Sequence, residues 1–223
     1  MKKTFLFALI SIIVVNAKGQ FIDKFGLKIG AGTSNLYWET RGEFGEKYTD
    51  WKKEKEGITI RLFAEKNLNK YLSIRPKIGY IQKGFRDDHI ITNLNGDTVA
   101  NTINKGVTLH DISADIGLKF RPFNCKINPY LIVGLRGDYL LDYNDYEIEI
   151  DGIKYREYES ILDDYKKFTI GGLIGVGLEY KDLIFIDFEY NPAITKNYEY
   201  QNVMMKYRYF EVTIGLNISG LIK

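Results

Sequence analysis

Between Asp111 and Phe120 the chain alternates with a period of two: Ile112, Ala114, Ile116, Leu118 and Phe120 are apolar, while Asp111, Ser113, Asp115, Gly117 and Lys119 lie between them. Successive side chains of a strand point to opposite faces, so this segment makes a ribbon with one oily and one charged side. The pattern recurs in Phe25, Leu27, Ile29 and Ala31 against Gly26, Lys28, Gly30 and Gly32, and in Ile58, Ile60, Leu62 and Ala64 against Thr59, Arg61, Phe63 and Glu65. Near the C-terminus, Phe210, Val212, Ile214, Leu216 and Ile218 alternate with polar residues that include Glu211, Thr213 and Asn217. Eight strands are predicted: Lys24 to Ser34, Gly57 to Lys66, Leu72 to Gly84, Thr108 to Phe120, Asn128 to Leu140, Phe168 to Tyr180, Leu183 to Asn191 and Met205 to Ile218.

The connections narrow the fold further. Those after strands one, three, five and seven are long, at about 22, 23, 27 and 13 residues, whereas the intervening joints are short: Asn67 to Tyr71, Arg121 to Ile127, and Lys181-Asp182. Strict alternation of long and short links is what a transmembrane barrel produces, with brief periplasmic turns at one rim and long external loops at the other. A strand of about 10 residues rises about 33 Å, and a tilt near 40° reduces this to about 25 Å, the height of an outer-membrane apolar band. The expected fold is an all-β, eight-stranded antiparallel up-and-down transmembrane β-barrel with short periplasmic turns and long extracellular loops.

Composition agrees with this class. Aromatics make up 14% of the chain, with 17 Tyr and 13 Phe, which excludes a disordered protein. Four Pro and 21 Gly with abundant tyrosine and isoleucine favour strands and turns over a helical bundle. The balance of 31 basic and 29 acidic residues gives no field for nucleic acid, so no nucleic-acid partner is expected. One cysteine rules out an intrachain disulfide framework and a Cys-rich zinc site.

At the N-terminus, Lys2 and Lys3 precede the apolar run Phe5 to Val15, which is too short to span a bilayer of about 30 Å comfortably. With small residues in Asn16-Ala17-Lys18-Gly19, residues 1–19 read as a signal peptide cleaved after Gly19. Residues 20–223 would then form the barrel domain, placed in the outer membrane of a Gram-negative envelope.

Alternation assigns a lumen set. Lys28, Arg61, Arg75, Lys77, Lys119 and Arg136 are the cations, and Glu65, Asp111, Asp115, Asp138, Glu179, Asp187, Glu189 and Glu211 the anions. Cations dominate the first three strands and anions the last three, which closure brings together. An eight-stranded interior is only wide enough for side chains, so the expectation is a paired network plugging the barrel. Tyr80, Phe120, Tyr130, Tyr139, Tyr180 and Tyr190 lie near strand ends, as interfacial girdles require.

Segments FGLKIGAGTSN, LSIRPKIGYIQKGF, LHDISADIGLKFRP, NPYLIVGLRGDY, FTIGGLIGVGLEY and YFEVTIGLNIS resemble successive strands of the PorT-like outer-membrane β-barrel proteins. That fold is similar to small OmpA/OmpX-type barrels, and the resemblance covers residues 20–223 almost entirely. It implies a fold more than a function, since the group includes many members of no known activity. In one departure, barrels of this kind usually finish on an aromatic residue, whereas this chain ends Ile218-Ser219-Gly220-Leu221-Ile222-Lys223.

Chemical constellations are sparse. His89 and His110 are the only histidines, so a three-histidine metal site is excluded. Lipid hydrolysis would need a base beside a nucleophile, yet His110 shares the outward face with Ile112 while Ser113 points inward. Cys125 stands alone in a short turn and reads as idle. Gly171, Gly172, Gly175 and Gly177 lie within a strand, where they serve close approach and leave lumen space; a nucleotide loop would need a helix to follow. The third long loop, Leu141 to Lys167, mixes acidic residues, among them Asp142, Asp145, Glu147, Asp151 and Asp163, with Tyr143, Tyr146, Tyr155, Tyr158 and Tyr165. Its carboxylates lack EF-hand spacing. Alternation from Tyr143 to Tyr158 about Asp151-Gly152 suggests a hairpin carrying strands five and six beyond the membrane.

The expected function is that of a non-enzymatic, monomeric barrel without cofactor or metal, surrounded by outer-membrane lipid. Its tyrosine-rich loops would bind a surface or envelope protein partner in adhesion, secretion or an envelope complex, because tyrosine offers large contact area at low entropic cost. A small transport barrel or porin is the alternative, and a lipid-modifying enzyme a third.

Overall fold

A computed structural model describes residues 22–42, 46–87, 101–104, 106–123, 125–150, 153–156 and 158–219. The expected signal peptide and its expected cleavage after Gly19, together with His89, Asp151-Gly152 and the last four residues, lie outside these. Along the chain run β1 (Lys24–Arg41), β2 (Lys47–Trp51), β3 (Lys53–Asn67), β4 (Leu72–Arg86), β5 (Asn101–Asn104), β6 (Gly106–Phe120) and β7 (Ile127–Asn144). They are followed by β8 (Glu147–Ile150), β9 (Ile153–Arg156), the short helix α1 (Glu159–Asp163), β10 (Phe168–Tyr180), β11 (Ile184–Pro192), β12 (Tyr198–Tyr200) and β13 (Val203–Asn217).

Eight of these strands close a barrel in the order β1, β3, β4, β6, β7, β10, β11, β13, and the β13–β1 ladder completes the ring. Every ladder is antiparallel, so no edge is left open within the barrel. Leu27, Ile29, Ile58, Ile60, Leu62, Ile116, Val176, Ile214 and their neighbours are exposed on the outer wall, while the charged partners on alternate positions are buried inside. The fold is thus inverted relative to a soluble barrel: the apolar face meets lipid.

Turns at the periplasmic rim have local causes. Asn69 Oδ1 accepts the Tyr71 and Leu72 amides at 2.8 and 2.9 Å, a side-chain mimic of a backbone turn. Lys181 and Asp182 adopt positive φ of 49° and 58°, the handedness that joins twisted strands tightly.

At the opposite rim the strands run further than the sequence pattern predicts. The expected first loop is largely strand: β1 continues to Arg41, with β2 on one side and the start of β13 on the other. Beyond Ser34 the apolar Leu36 and Trp38 pack inward on a buried cluster instead of forming a lipid-facing stripe, so a membrane-based reading stops too early. The hairpin expected in the third loop does form as β8 and β9. It corrects the expectation in one respect, because it does not extend the strands on either side; with β5 it makes a separate three-stranded sheet over the barrel mouth.

Candidate functional site

The barrel interior holds an extended assembly of buried polar side chains. Every charge assigned to the lumen from alternation is buried in the structure, namely Lys28, Arg61, Glu65, Arg75, Lys77, Asp111, Asp115, Lys119, Arg136, Asp138, Glu179, Asp187, Glu189 and Glu211. They form three tiers.

In the periplasmic tier, Arg75 donates Nε to Glu65 at 2.8 Å, and Glu65 also accepts from Ser73 Oγ at 3.1 Å and Lys119 Nζ at 3.2 Å. Lys119 and Lys24 both donate to Glu179, and Lys28, Tyr130 and Arg75 all donate to Asp187. Phe63, Tyr130 and Phe185 pack around this tier, with the Arg75 guanidinium carbon 4.8 to 5.5 Å from their ring centres. Gly177 makes this possible, since a Cβ at that position would come within 2.3 Å of Tyr130 Cζ.

In the middle tier, Arg61 bridges Asp115 at 2.6 Å and Glu211 at 2.9 Å, while Lys77 donates to both Glu189 oxygens at 2.5 and 2.6 Å. In the upper tier, Lys83 reaches Asp111 at 2.7 Å and Asp138 at 2.8 Å, and Arg136 joins Asp138 at 2.9 Å. A charge taken from water is costly unless a partner and further hydrogen bonds replace hydration, and each of these groups has at least one ion-pair partner.

Three members of the network escaped the sequence reading: Lys24, Lys83 and Arg121. Parity alone could have found two of them, because Lys24 precedes Lys28 by four residues and Lys83 follows Lys77 by six. Arg121 lies in a turn, where parity gives no orientation; its guanidinium donates to Asn67 Oδ1 at 2.5 Å.

Above the upper tier sits an apolar cork. Leu36, Phe85, Val107, Leu109, Ile148, Leu162, Tyr198, Met205 and Tyr207 pack with Tyr146, Tyr158 and Tyr165 of the third loop. This corrects the expectation that the loop tyrosines face a partner. Tyr146, Tyr158 and Tyr165 are buried, Tyr143 is half-buried, and of the five only Tyr155 is exposed, at 46%. A loop of this length needs its own core to be ordered, and the tyrosines supply it.

Polar links pin the cork. Asp145 accepts the Tyr146 amide at 2.6 Å and the Tyr158 amide at 3.2 Å; Tyr158 donates its hydroxyl to Asp87, which also pairs with Lys52 at 2.7 Å. Burial pushes the Asp145 carboxyl above its ordinary range. The Tyr143 hydroxyl donates to Asp163, which pushes the phenol up to about 12. Among the described residues no acidic cluster with the geometry of a cation site is present.

Of the girdle residues, Phe120, Tyr139 and Tyr180 are exposed on the outer wall, and Tyr80 and Tyr190 are half-buried. Tyr130 is a correction: it shares parity with Arg136 and Asp138 and lies in the lumen. His110 Nδ1 hydrogen-bonds the Tyr80 hydroxyl at 2.5 Å, and Nε2 lies 3.1 Å from Asn144 Nδ2, while Ser113 is buried inside the barrel. Cys125 is exposed in the periplasmic turn, with its thiol on the Ile127 carbonyl.

Comparison with known proteins follows this geometry. No curated protein matches the chain. Among solved structures, Ail, the attachment invasion locus protein of Yersinia pestis, is 13% identical, covering 87% of this chain and 97% of its own at a TM-score of 0.42. Neisserial surface protein A is 13% identical over 85% and 96% of the two chains, with a TM-score of 0.40. The outer membrane enzyme PagL is 12% identical over 80% and 97%, with a TM-score of 0.38. Neighbours this distant include an enzyme and carry no argument about activity. The family model for the outer membrane protein beta-barrel domain matches residues 5–217, and the chain therefore belongs to that family of outer-membrane β-barrels.

Proposed function

We propose that this protein is a non-enzymatic, non-conducting barrel that anchors a rigid extracellular loop domain and presents it to a surface or envelope protein. Within its family we assign it to the PorT-like group on the strand segments quoted above. The observation that carries the reading is the exposure of β9: Ile153 and Tyr155 are 57% and 46% exposed, on a strand held by β8 over a buried core. A fixed, partly apolar strand outside the cell is a low-entropy contact surface.

Transport would need a continuous path. The cavities beside Lys83, Asp138, Thr169 and Asn197 measure only about 10 Å³ each, room for one water. Catalysis would need a nucleophile within reach of His110, whose ring nitrogens lie against Tyr80 and Asn144.

A photo-crosslinking residue placed at Tyr155 in intact cells tests the binding reading. It should give an adduct of one defined protein mass, while the same residue at lipid-facing Ile214 should not. Equal labelling at both positions, or no protein adduct at Tyr155, would remove the binding role.

A further inference from the structure

Two cavities meet at the periplasmic rim. One is a polar cup of about 370 Å³ lined by Lys24, Asn69, Lys70, Arg121, Asn128 and Asp182. The other is an apolar groove of about 420 Å³ on the lipid-facing wall, where β7, β10 and β11 lie side by side, walled by Leu131, Val176, Leu178 and Phe188. Phe123, 59% exposed, lines both. The boundary also falls between consecutive residues of β7: Asn128 lines the cup and Pro129 the groove.

Each half predicts its own occupant. A concave apolar groove in contact with hydrocarbon is filled by an acyl chain, because a void forfeits dispersion contacts and water finds no partner there. The cup calls for an anion. Arg121 is buried, yet its Nε has no hydrogen-bond partner, and its Nη1 stands 3.7 to 3.8 Å from Glu65, Glu179 and Asp182, too far for strong hydrogen bonds. Lys70 is exposed, with its ammonium 4.8 Å from the Tyr71 ring centre. Asp182 would repel an anion, but Lys24 binds it and Glu179 together. Lys24, Lys70 and Arg121 line the cup against one carboxylate, Asp182, while Glu65 and Glu179, within 3.8 Å of Arg121, are themselves paired with Arg75, Lys119 and Lys24. Tyr71 and Tyr180 beside Lys70 and Lys181 mark the level of the lipid headgroups.

We infer that this rim holds one phospholipid of the periplasmic leaflet, its phosphodiester in the cup on Lys70 and Arg121 and one acyl chain in the groove past Phe123. Basic pockets beside a membrane-embedded wall recognise phosphate headgroups in this way. The site lies on the face opposite the loop domain, so it stands or falls independently of the partner-binding reading.

The test uses the full barrel in detergent, titrated with phosphatidylglycerol and read by native mass spectrometry. One lipid per barrel should survive desolvation. Lys70→Gln/Arg121→Gln should lower occupancy about tenfold, Phe123→Ser should lower it comparably, and Arg208→Gln on the extracellular side should leave it unchanged. Deacylated glycerophosphoglycerol should not bind, which separates a lipid from a free phosphate. Should the Arg121 variant fail to fold, Lys70→Glu, at an exposed turn position, must still weaken retention. Wild-type occupancy in the Lys70 variants, or binding of the deacylated headgroup as tight as that of the lipid, would overturn the proposal.

Discussion

Arg75 and Glu65 face each other on adjacent strands with neither side chain open to solvent, Arg75 Nε donating at 2.8 Å and Nη2 lying 2.6 Å from the same carboxylate. Arg75 also contacts Asp187 and the rings of Phe63, Tyr130 and Phe185, so it ties β3 and β4 to β7 and β11 across the lumen. Truncating one partner of a buried pair leaves the other charge uncompensated, at a cost of about 3–5 kcal/mol. Arg75→Ala should therefore destabilise the refolded barrel by that order in urea titration. Arg208→Ala, which removes an exposed cation 3.8 Å from the Trp51 ring centre, should cost less than about 1 kcal/mol. Equal losses would mean that the lumen is wet and its pairs are screened.

Purified protein in a planar bilayer should show no large, steady single-channel current. The three tiers of paired side chains fill the lumen beneath the apolar cork, and the cavities beside Lys83 and Asp138 have room for about one water each. Lys77→Ala, which frees Glu189 and opens the middle tier, should give at most brief, small events, because the cork remains in place. A porin-sized conductance of the wild type would favour a transport role.

Buried loop tyrosines give a further expectation. Tyr158→Ala and Tyr146→Ala remove aromatic contacts from the cork and should each destabilise the loop domain by about 3–5 kcal/mol, as for other large-to-small core changes. Trypsin added to intact cells should then cut faster after Lys154 and Arg156, both on exposed β9, while Tyr155→Ala should leave the loop's order intact. Protection unchanged in the Tyr158 variant would show that the loop does not depend on this core.

Legibility in the sequence follows the physics of each layer. Within the membrane, lipid outside and a narrow lumen inside enforce strict alternation, so β10 was readable to its end residues and the lumen charges to single positions. Lys24 and Lys83 obeyed the same parity and needed only its extension. Beyond the membrane the constraint lapses. Tyr146, Tyr158 and Tyr165 look like a binding surface by composition, yet their burial depends on Leu36, Phe85, Val107 and Tyr207 from distant strands, long-range contacts that no local pattern encodes. Tyr130 shows the same limit in reverse, since its position near a strand end suggested a girdle while its parity placed it inside.

Asp182 provides a pH signature for the periplasmic rim. Lys24, which donates to it, and Arg121, 3.8 Å away, lower its carboxyl from the ordinary 3.8 to about 2. A carboxylate that ionises more easily in the folded state contributes stability at pH values above 3.8, and that contribution is lost as pH falls through about 2. Because the side chain is 61% exposed, solvent screens the pair and the effect amounts to a few degrees at most. Thermal unfolding of the barrel in detergent should show Asp182→Asn melting below wild type at pH 5, with the gap closing as the buffer is taken down to pH 2. The lumen carboxylates titrate in both proteins, so the difference between the two curves isolates Asp182. A gap that persists unchanged at pH 2 would mean that asparagine disturbs the Lys181-Asp182 turn itself and that the ion pair with Lys24 contributes nothing.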